Sequence, residues 1–301
     1  MKNGWLVYCL MITNPPTILY KYLSTRNGIE YVLEQGTIKW SNPFEFNDLF
    51  DNQYNLQIEE FREELLDELL DLFFAQNFSS IFFEGKDFAL SGSDFAAALN
   101  AVRPHLTNVE IDYLKGGLKE GIANFRARFP QFNDEFKEIM RNNAIFCLTD
   151  SPGNEAMWSY YADDNEGIVV GFSAADEDSI FPLAQPVNYA ESIPTLKYAD
   201  IMEYLSDTRK IIEDQVREYK FTKSKAWSHE KEWRIVVDGG AGVRPFLPQE
   251  LKEIYLGHKI SALNREKVKQ FVKIKYPWAE LFQSIPKTND FGFHFEKLNL
   301  S

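Results

Sequence analysis

The stretch that decides the fold is KSKAWSHEKEWRIVV, residues 223–237. It ends in an apolar run typical of a half-buried strand, yet Glu230, Glu232 and Arg234 stand two positions apart within it. Residues two apart in a strand point to the same face, so we expect these charges to form one row beside the core. Spacing alone leaves two interpretations open: a structural ion-pair row in which Arg234 neutralises an acid, or a catalytic site.

Strand patterns lie toward the two ends of the chain and helical patterns lie between them. The segments TILYKYLS, TIKWS, AIFCLTD and GIVVGF are typical of strands, and TRNGIEYVLEQG is typical of a short amphipathic helix that ends at Gly36. Apolar residues at helical spacing follow, and we interpret residues 55–141 as a helical insertion. A further long helix is expected over 200–220. The pattern predicts an α+β fold with a single domain over residues 1–301.

Composition excludes several classes of protein. The formal net charge of -13 works against tracking nucleic-acid phosphates by charge alone. A basic run over 267–275 keeps a nucleic-acid enzyme as a third alternative, although a solvated helix face is the ordinary explanation of such a run. Cys9 and Cys147 have no CxxC spacing, which argues against a disulfide framework or a zinc site and predicts a cytoplasmic protein.

The N-terminal apolar run, residues 5–12, is short for a signal sequence. Met11 is an alternative start of translation. No other segment is long enough to span a bilayer, so we expect no membrane association.

Two sets of candidate ligands are weak. Asn47, Asp48 and Asp51 in FNDLFD are oxygen donors, but residues of this kind more often cap and form turns, and we expect no metal. The four histidines are scattered without ligand or triad spacing: His105, His229, His258 and His294. The chain also lacks the GxSxG, GxGxxG and GxxxxGK[ST] motifs of hydrolases, dinucleotide folds and nucleotide triphosphatases.

Trp158, Tyr160 and Tyr161 cluster in MWSYYADDNEGIVVGF, where a short helix is expected to enter a strand through Gly167. Two interpretations stay open: core packing, and a stacking platform for a planar ring.

Six segments, in this order, resemble a bacterial family with a domain of unknown function: ILYKYLS, WSNPFEFNDLFD, FCLTD, MWSYYADDNEGIVVGF, KSKAWSHEKEWRIVV and KEIYLG. The family's hallmarks are YKY, FNDPFD, CFS, MWxHYAxxHxG and KxxxWxxExEwR. The resemblance spans most of the chain outside the helical insertion, with Leu49 and Tyr160 standing where the family has proline and histidine. It implies no activity.

Three segments are also similar to ADP-ribosyltransferases of the diphtheria-toxin and poly-ADP-ribose-polymerase type. These are LYKYLSTRNGIEYVLEQGTI, the run AIFCLTDSPGNEAMWSYYADDNEGIVVGF, and EKEWRIVV. The resemblance implies a small, split, mixed β-sheet core that takes NAD as a substrate and needs no metal. Breaking the bond between nicotinamide and ribose develops positive charge on the ribose, which a nearby carboxylate stabilises.

That resemblance also implies site residues. Glu232 is expected to be the catalytic carboxylate, with Glu230 as a second acid and Tyr161 stacked on nicotinamide. Lys21 is expected to contact the adenosine ribose or the diphosphate. Arg234 either holds Glu232 or touches phosphate. The remaining residues expected to bind the cofactor are Tyr22, Ser41, Trp158 and Tyr160.

The expected function is therefore transfer of ADP-ribose from NAD to an unknown protein or nucleic-acid acceptor, or hydrolysis of NAD. By analogy alone, such a protein is a bacterial toxin or a phage-defence effector, with the helical insertion offering a surface to a protein partner. The alternative is a non-catalytic module of the same fold that binds a nucleotide or a protein. In that alternative the Glu232 and Arg234 row is purely structural.

Overall fold

The computed structural model of the protein describes residues 15–53, 55–57, 107–113, 115–117, 119–120, 123, 127, 141–176, 178–197 and 218–300. The chain divides into two compact units, one made of Met1–Gln53, Ile139–Pro194 and Arg217–Ser301, the other of Tyr54–Glu138 and Thr195–Val216. Most of the expected helix over 200–220, and the N-terminal apolar run, lie outside the described residues.

The first unit is built on a mixed sheet, which confirms the α+β class. The strands of both units are numbered together in chain order, and β3 and β8 belong to the second unit. They are β1 (Ile18–Leu23), β2 (Thr37–Trp40), β3 (Asn55–Gln57), β4 (Asn143–Thr149), β5 (Ile168–Ser173), β6 (Gln185–Pro186), β7 (Asn188–Ala190), β8 (Thr195–Lys197), β9 (Thr222–Ser224), β10 (Glu232–Asp238), β11 (Gly242–Pro245), β12 (Leu251–Leu256), β13 (Glu280–Pro286) and β14 (Phe293–Lys297). Among the described residues, eight strands form the main sheet in the order β14-β13-β12-β5-β1-β4-β10-β6. The strand predictions for β1, β2, β4 and β5 are confirmed.

Among the described residues, three helices pack on this sheet. They are α1 (Asn27–Glu34), which has π-type turns, α2 (Glu155–Tyr161) and α3 (Ala262–Lys275). Helix α1 ends where predicted, since Gly36 takes a left-handed φ of 67°. Val32 and Leu33 of α1 join Val268 and Val272 of α3 in the main hydrophobic core, beside the inward residues of the strands. None of the helices in the described ranges has the length and apolar character needed to cross a membrane.

The main sheet opens between β1 and β4. Strand β1 pairs with β5 along its whole length, and β4 pairs with β10 along its whole length. Strands β1 and β4 meet only at Tyr20 and Thr149. The Lys21 ammonium donates a hydrogen bond of 2.8 Å to the Cys147 carbonyl, so a side chain bonds this backbone acceptor. The opening leaves room for a cleft.

Strand β10 begins later than the sequence pattern indicates. Lys225–Glu230 forms a 3-10 helix, and Lys231 then takes a left-handed conformation with φ of 45° before β10 starts at Glu232. The prediction that all three charges form one row on a strand is therefore wrong for Glu230. Glu232 and Arg234 do share one face, as strand alternation requires.

In the second unit, β3 pairs in parallel with β8. The described residues between 108 and 127 are helical. Helix therefore occurs inside the expected insertion, although a strand begins it. The single domain over residues 1–301 stays a prediction.

Candidate functional site

A cleft of about 790 Å³ lies in the first unit, along the opening between β1 and β4. Seven of the nine residues that sequence analysis names as site residues line it: Lys21, Tyr22, Ser41, Tyr160, Tyr161, Glu230 and Glu232. The cleft thus gathers residues from the β1 segment, from α2 and from the start of β10. Arg234 and Trp158 are the two that do not line it.

Arg234 is fully buried and holds two carboxylates. Its Nε donates to Glu232 Oε1 at 2.7 Å and its Nη2 donates to Glu232 Oε2 at 3.2 Å. Toward Asp51, Nη1 donates to Oδ1 at 2.9 Å and Nη2 donates to Oδ2 at 2.6 Å. Nη1 also donates to the Lys220 carbonyl at 2.6 Å. These bonds use every N–H group of a guanidinium, so Arg234 orients Glu232 and has no donor left for a phosphate.

Lys223 joins the two glutamates. Its ammonium donates to Glu230 Oε2 at 2.5 Å and to Glu232 Oε2 at 2.9 Å. Strand β9 places Lys223, and the ammonium lies 5.1 Å from the centre of the Trp227 ring. Five buried groups therefore alternate in charge, in the order Glu230, Lys223, Glu232, Arg234 and Asp51, and we call them the charge chain.

Each charge in this chain depends on its neighbours. Burial works to raise the pKa of Glu232, but Arg234 and Lys223 outweigh it and hold that pKa well below its usual range. Burial works to lower the pKa of Lys223, but Glu232 and Glu230 outweigh it and raise that pKa. At the far end, burial raises the pKa of Asp51 against the opposing effect of Arg234. Glu232 and Lys223 therefore stay ionised at neutral pH.

Tyr161 lies in the cleft next to Glu230, beyond one end of the charge chain. Its hydroxyl donates to Glu230 Oε1 at 2.8 Å, and its side chain is partly exposed. Burial, reinforced by the charge of Glu230, raises the pKa of Tyr161, so the hydroxyl keeps its proton at neutral pH.

Asn154 explains why α2 places Tyr161 there. Its side chain caps the helix by accepting from the Met157 N–H at 3.1 Å, and its amide donates to the His229 carbonyl at 2.5 Å. One residue thus starts α2 and ties it to the turn that carries Glu230.

The aromatic cluster divides between core and cleft. Trp158 has 0% exposure, donates from Nε1 to the Pro152 carbonyl at 2.8 Å, and packs edge-on against Tyr22 with ring centres 5.5 Å apart. Its expected contact with a cofactor is replaced by core packing, because its position on α2 faces the sheet. Tyr160 is 71% exposed at the cleft, and Tyr161 lines it.

Tyr22 and Ser41 line the cleft with groups that already have partners. The Tyr22 hydroxyl donates to the Ser151 carbonyl at 3.1 Å and accepts from the Asn154 N–H at 2.9 Å. Ser41 forms a two-way backbone bridge with Ile145. Both residues shape the wall of the cleft.

Sequence reasoning missed four contributors to the site: Asp51, Tyr189, Lys223 and Trp227. Tyr189 accepts from the Glu232 N–H at 2.8 Å through its hydroxyl oxygen. Lys223 and Trp227 stood in the stretch quoted first, at the spacing KxxxWxxExExR, which was the available signal. Asp51 gave no signal beyond a turn-like FNDLFD, whose Asp48 does accept from the Phe50 N–H at 2.9 Å.

Within the described ranges, no three His, Cys, Asp or Glu side chains are grouped as metal ligands would be.

Comparison with known proteins finds one family model that matches part of the chain. Residues 157–235 match the model of a family described as a protein of unknown function, DUF2971. The matched segment runs from α2 through most of the charged stretch, and it includes Tyr161, Lys223, Glu230 and Glu232. No curated protein and no solved structure matches the chain.

Proposed function

We propose that the protein binds NAD in the cleft, cleaves the bond between nicotinamide and ribose, and passes ADP-ribose to an acceptor or to water. One observation carries this proposal. Lys21, Tyr161 and the Glu230 and Glu232 pair come from three distant segments, and all line one cleft at the opening of the sheet. These are the positions that the resemblance to ADP-ribosyltransferases selects.

The size of the cleft supports a ligand of this kind. Its volume of about 790 Å³ lies within the usual range for small-molecule sites, roughly 300–1,000 Å³. The lining includes the aromatic side chains of Tyr160, Tyr161 and Trp227, three lysines and six carboxylates, among them Glu230 and Glu232. The aromatic side chains suit planar rings, the carboxylates suit ligand hydroxyl groups, and the Lys21 ammonium suits an anionic group.

The chemistry requires little of the protein beyond electrostatics. The bond between the nicotinamide nitrogen and ribose C1′ breaks, and its electron pair leaves with nicotinamide, which becomes neutral. Positive charge develops on the ribose and is stabilised by a carboxylate aimed at it. A lone pair of the acceptor or of water forms the new bond at C1′, and the proton that it loses passes to a carboxylate of the cleft.

Lys21 and Tyr161 have supporting roles in this proposal. Lys21 holds its ammonium in the opening of the sheet, over the Phe146 ring at 5.3 Å, where it attracts the diphosphate or a ribose hydroxyl. The Tyr161 ring offers a face to the nicotinamide, and its hydroxyl bonds to Glu230 before a ligand binds.

The test is direct. Purified protein is incubated with NAD, with and without bacterial extract, and nicotinamide release, label transfer from NAD and heat of binding are measured. Glu191→Gln is the matched control, since Glu191 is 80% exposed and pairs only with Lys225 among the ion pairs described. We expect NAD binding and nicotinamide release in wild type and control alike; absence of both in wild type overturns the proposal.

One observation favours the non-catalytic alternative. Both oxygens of Glu232 are already bonded to cations, and the residue is only 6% exposed. A structural ion-pair row has this appearance. Binding of NAD or ADP-ribose without any nicotinamide release would favour this alternative.

A role as a toxin or phage-defence effector, and a protein partner on the helical insertion, rest on the resemblance alone. Growth of bacteria that express the wild type, compared with growth on expression of Glu230→Gln, tests the first. We expect growth arrest from the wild type only.

A further inference from the structure

We infer that Glu230, paired with Tyr161, is the carboxylate that meets the substrate, and that Glu232 is a positioning residue which holds Lys223. This inference rests on the proposed function and deepens it. It reverses the expectation from sequence, in which Glu232 is the catalytic carboxylate.

The contacts of Glu232 leave it no freedom. Arg234 donates to Oε1 at 2.7 Å and to Oε2 at 3.2 Å, and Lys223 donates to Oε2 at 2.9 Å. All of these donors are charged and buried, and breaking such a bond leaves a buried charge without its partner. A substrate hydroxyl that displaced Arg234 or Lys223 from Glu232 would leave a buried charge unpaired, which is strongly unfavourable. Glu232 therefore holds these two cations in place and does not bind the substrate.

The contacts of Glu230 differ on one side. Oε2 accepts from Lys223 at 2.5 Å, but Oε1 accepts from the neutral Tyr161 hydroxyl at 2.8 Å. A hydroxyl can rotate, and it can accept a bond as well as donate one. A ribose hydroxyl can therefore replace the Tyr161 hydroxyl on Glu230 Oε1, or bond to both of these groups, and no buried charge loses its partner.

The backbone places the two acids differently as well. Glu232 is the first residue of β10 and is paired with Thr149 of β4. Glu230 is the last residue of a 3-10 helix, and Lys231 after it has a left-handed conformation. The Glu230 carboxylate therefore approaches the Lys223 ammonium from outside β10. The partly exposed Tyr161 is the next group beyond Glu230, so a ligand in the cleft reaches Glu230 Oε1 by displacing the Tyr161 hydroxyl. Both acids line the cleft and are nearly buried, Glu230 at 3% and Glu232 at 6% exposure, so their bonding partners distinguish them and their exposure does not.

Glutamine substitution distinguishes the two acids. In Glu230→Gln, the amide oxygen stays on Lys223 and the amide NH₂ donates to the Tyr161 hydroxyl, which reverses its role. In Glu232→Gln, either orientation of the amide points an NH₂ group at a cationic donor, Arg234 Nε on one side or Lys223 on the other. The first substitution should therefore preserve the fold and the second should not.

The experiment compares the wild type with Glu230→Gln, Glu232→Gln and Tyr161→Phe. Nicotinamide release, NAD binding by calorimetry and the melting temperature are measured for each. We expect Glu230→Gln to melt near the wild type and to lose about 100-fold or more in turnover. Glu232→Gln should melt about 10 °C lower.

The pH profile separates a positioning role from a purely structural one. In a folded Glu232→Gln protein, Lys223 neutralises one carboxylate in place of two. The acid limb of turnover against pH should then move to lower pH, whereas simple loss of folded protein lowers turnover by the same factor at every pH. If Glu232→Gln fails to fold, its role as an anchor is supported and Glu230→Gln decides the inference.

The outcomes also separate this inference from the proposed function. A wild type that neither binds NAD nor releases nicotinamide overturns both. An active wild type with a fully active Glu230→Gln overturns only the inference, as does a Glu232→Gln protein that melts normally but is inactive.

Discussion

Asp51 and Arg234, 183 positions apart in the chain, form a two-pronged ion pair with N–H···O distances of 2.9 and 2.6 Å. The pair ties the FNDLFD turn to β10, and the Phe46 ring covers the guanidinium at 5.5 Å. Arg234 also donates to Glu232, so the turn that carries Asp51 helps to fix the position of the Glu232 carboxylate in the candidate site.

Asp51→Asn should destabilise the protein. The amide NH₂ would face a guanidinium that already donates, and the buried charge of Arg234 would keep only one of its two carboxylate partners, Glu232. We expect the free energy of unfolding in urea to fall by about 3 kcal/mol. Glu191→Gln breaks an exposed pair on the surface and is the control; equal midpoints for the two variants would contradict the prediction.

Lys223→Met should destabilise in a pH-dependent way. Without the ammonium, two neighbouring carboxylates repel each other beside Arg234, and the loss at pH 7 should be about 3 kcal/mol. Part of it should return in acid, because one carboxylate then takes a proton. Urea unfolding at pH 7 and pH 5 measures this, with Lys225→Met in the same stretch as the exposed control. A loss that does not change with pH would disprove the mechanism.

Lys220 should make stability depend on pH above neutrality. Burial, opposed by Asp238, lowers the pKa of Lys220 to about 7 from 10.5, and its ammonium bonds to Asn143 Oδ1. Between these two values the unfolded chain binds more protons than the folded one, so the free energy of unfolding should rise as pH increases through that window. Lys220→Met should lack this rise. Unfolding curves at pH 7, 8 and 9 test it, and the same slope in both proteins would refute it.

Gly167→Ala should disturb the junction between α2 and β5. A Cβ there would lie 2.2 Å from the Leu23 carbonyl oxygen and 2.8 Å from Ala162 Cα, both of them backbone atoms. The chain must shift, at a cost of about 2 kcal/mol, and Tyr161 would shift with it. Gly117→Ala is the matched control, because a Cβ there meets nothing within 4 Å and the residue is helical. The control should gain about 0.5–1 kcal/mol in thermal unfolding; two equal effects would contradict the steric argument.

Much of the fold could be predicted because its signals are local. Apolar and polar residues alternate through the β1 segment, a run of apolar residues marks β4, and apolar residues recur at helical spacing in α3; these patterns involve only near neighbours. The contact between Arg234 and Glu232 was also predictable, since strand alternation brings residues two apart to one face. The residue at which β10 begins could not be predicted, because the left-handed conformation before it is taken by Lys231 and not by a glycine, the residue that usually indicates such a turn.

The site was harder to predict than the fold. Trp158 and Tyr161 lie three positions apart on one helix, yet one is buried against Tyr22 and the other lines the cleft. The same aromatic pattern is consistent with core packing and with a stacking surface, and only the placement of α2 on the sheet distinguishes them.

The sequence by itself determined the strand and helix pattern and marked Glu230, Glu232 and Arg234 as an unusual set of charges, because periodicity and composition are properties of neighbouring residues. Tertiary structure alone decided which partner each charge has. Asp51 and Lys223 reach the set from other segments, and the energy of a buried ion pair depends on distance and burial, not on separation along the chain. Three charges that the sequence pattern puts on one strand therefore become part of a chain of five, four of which line a cleft.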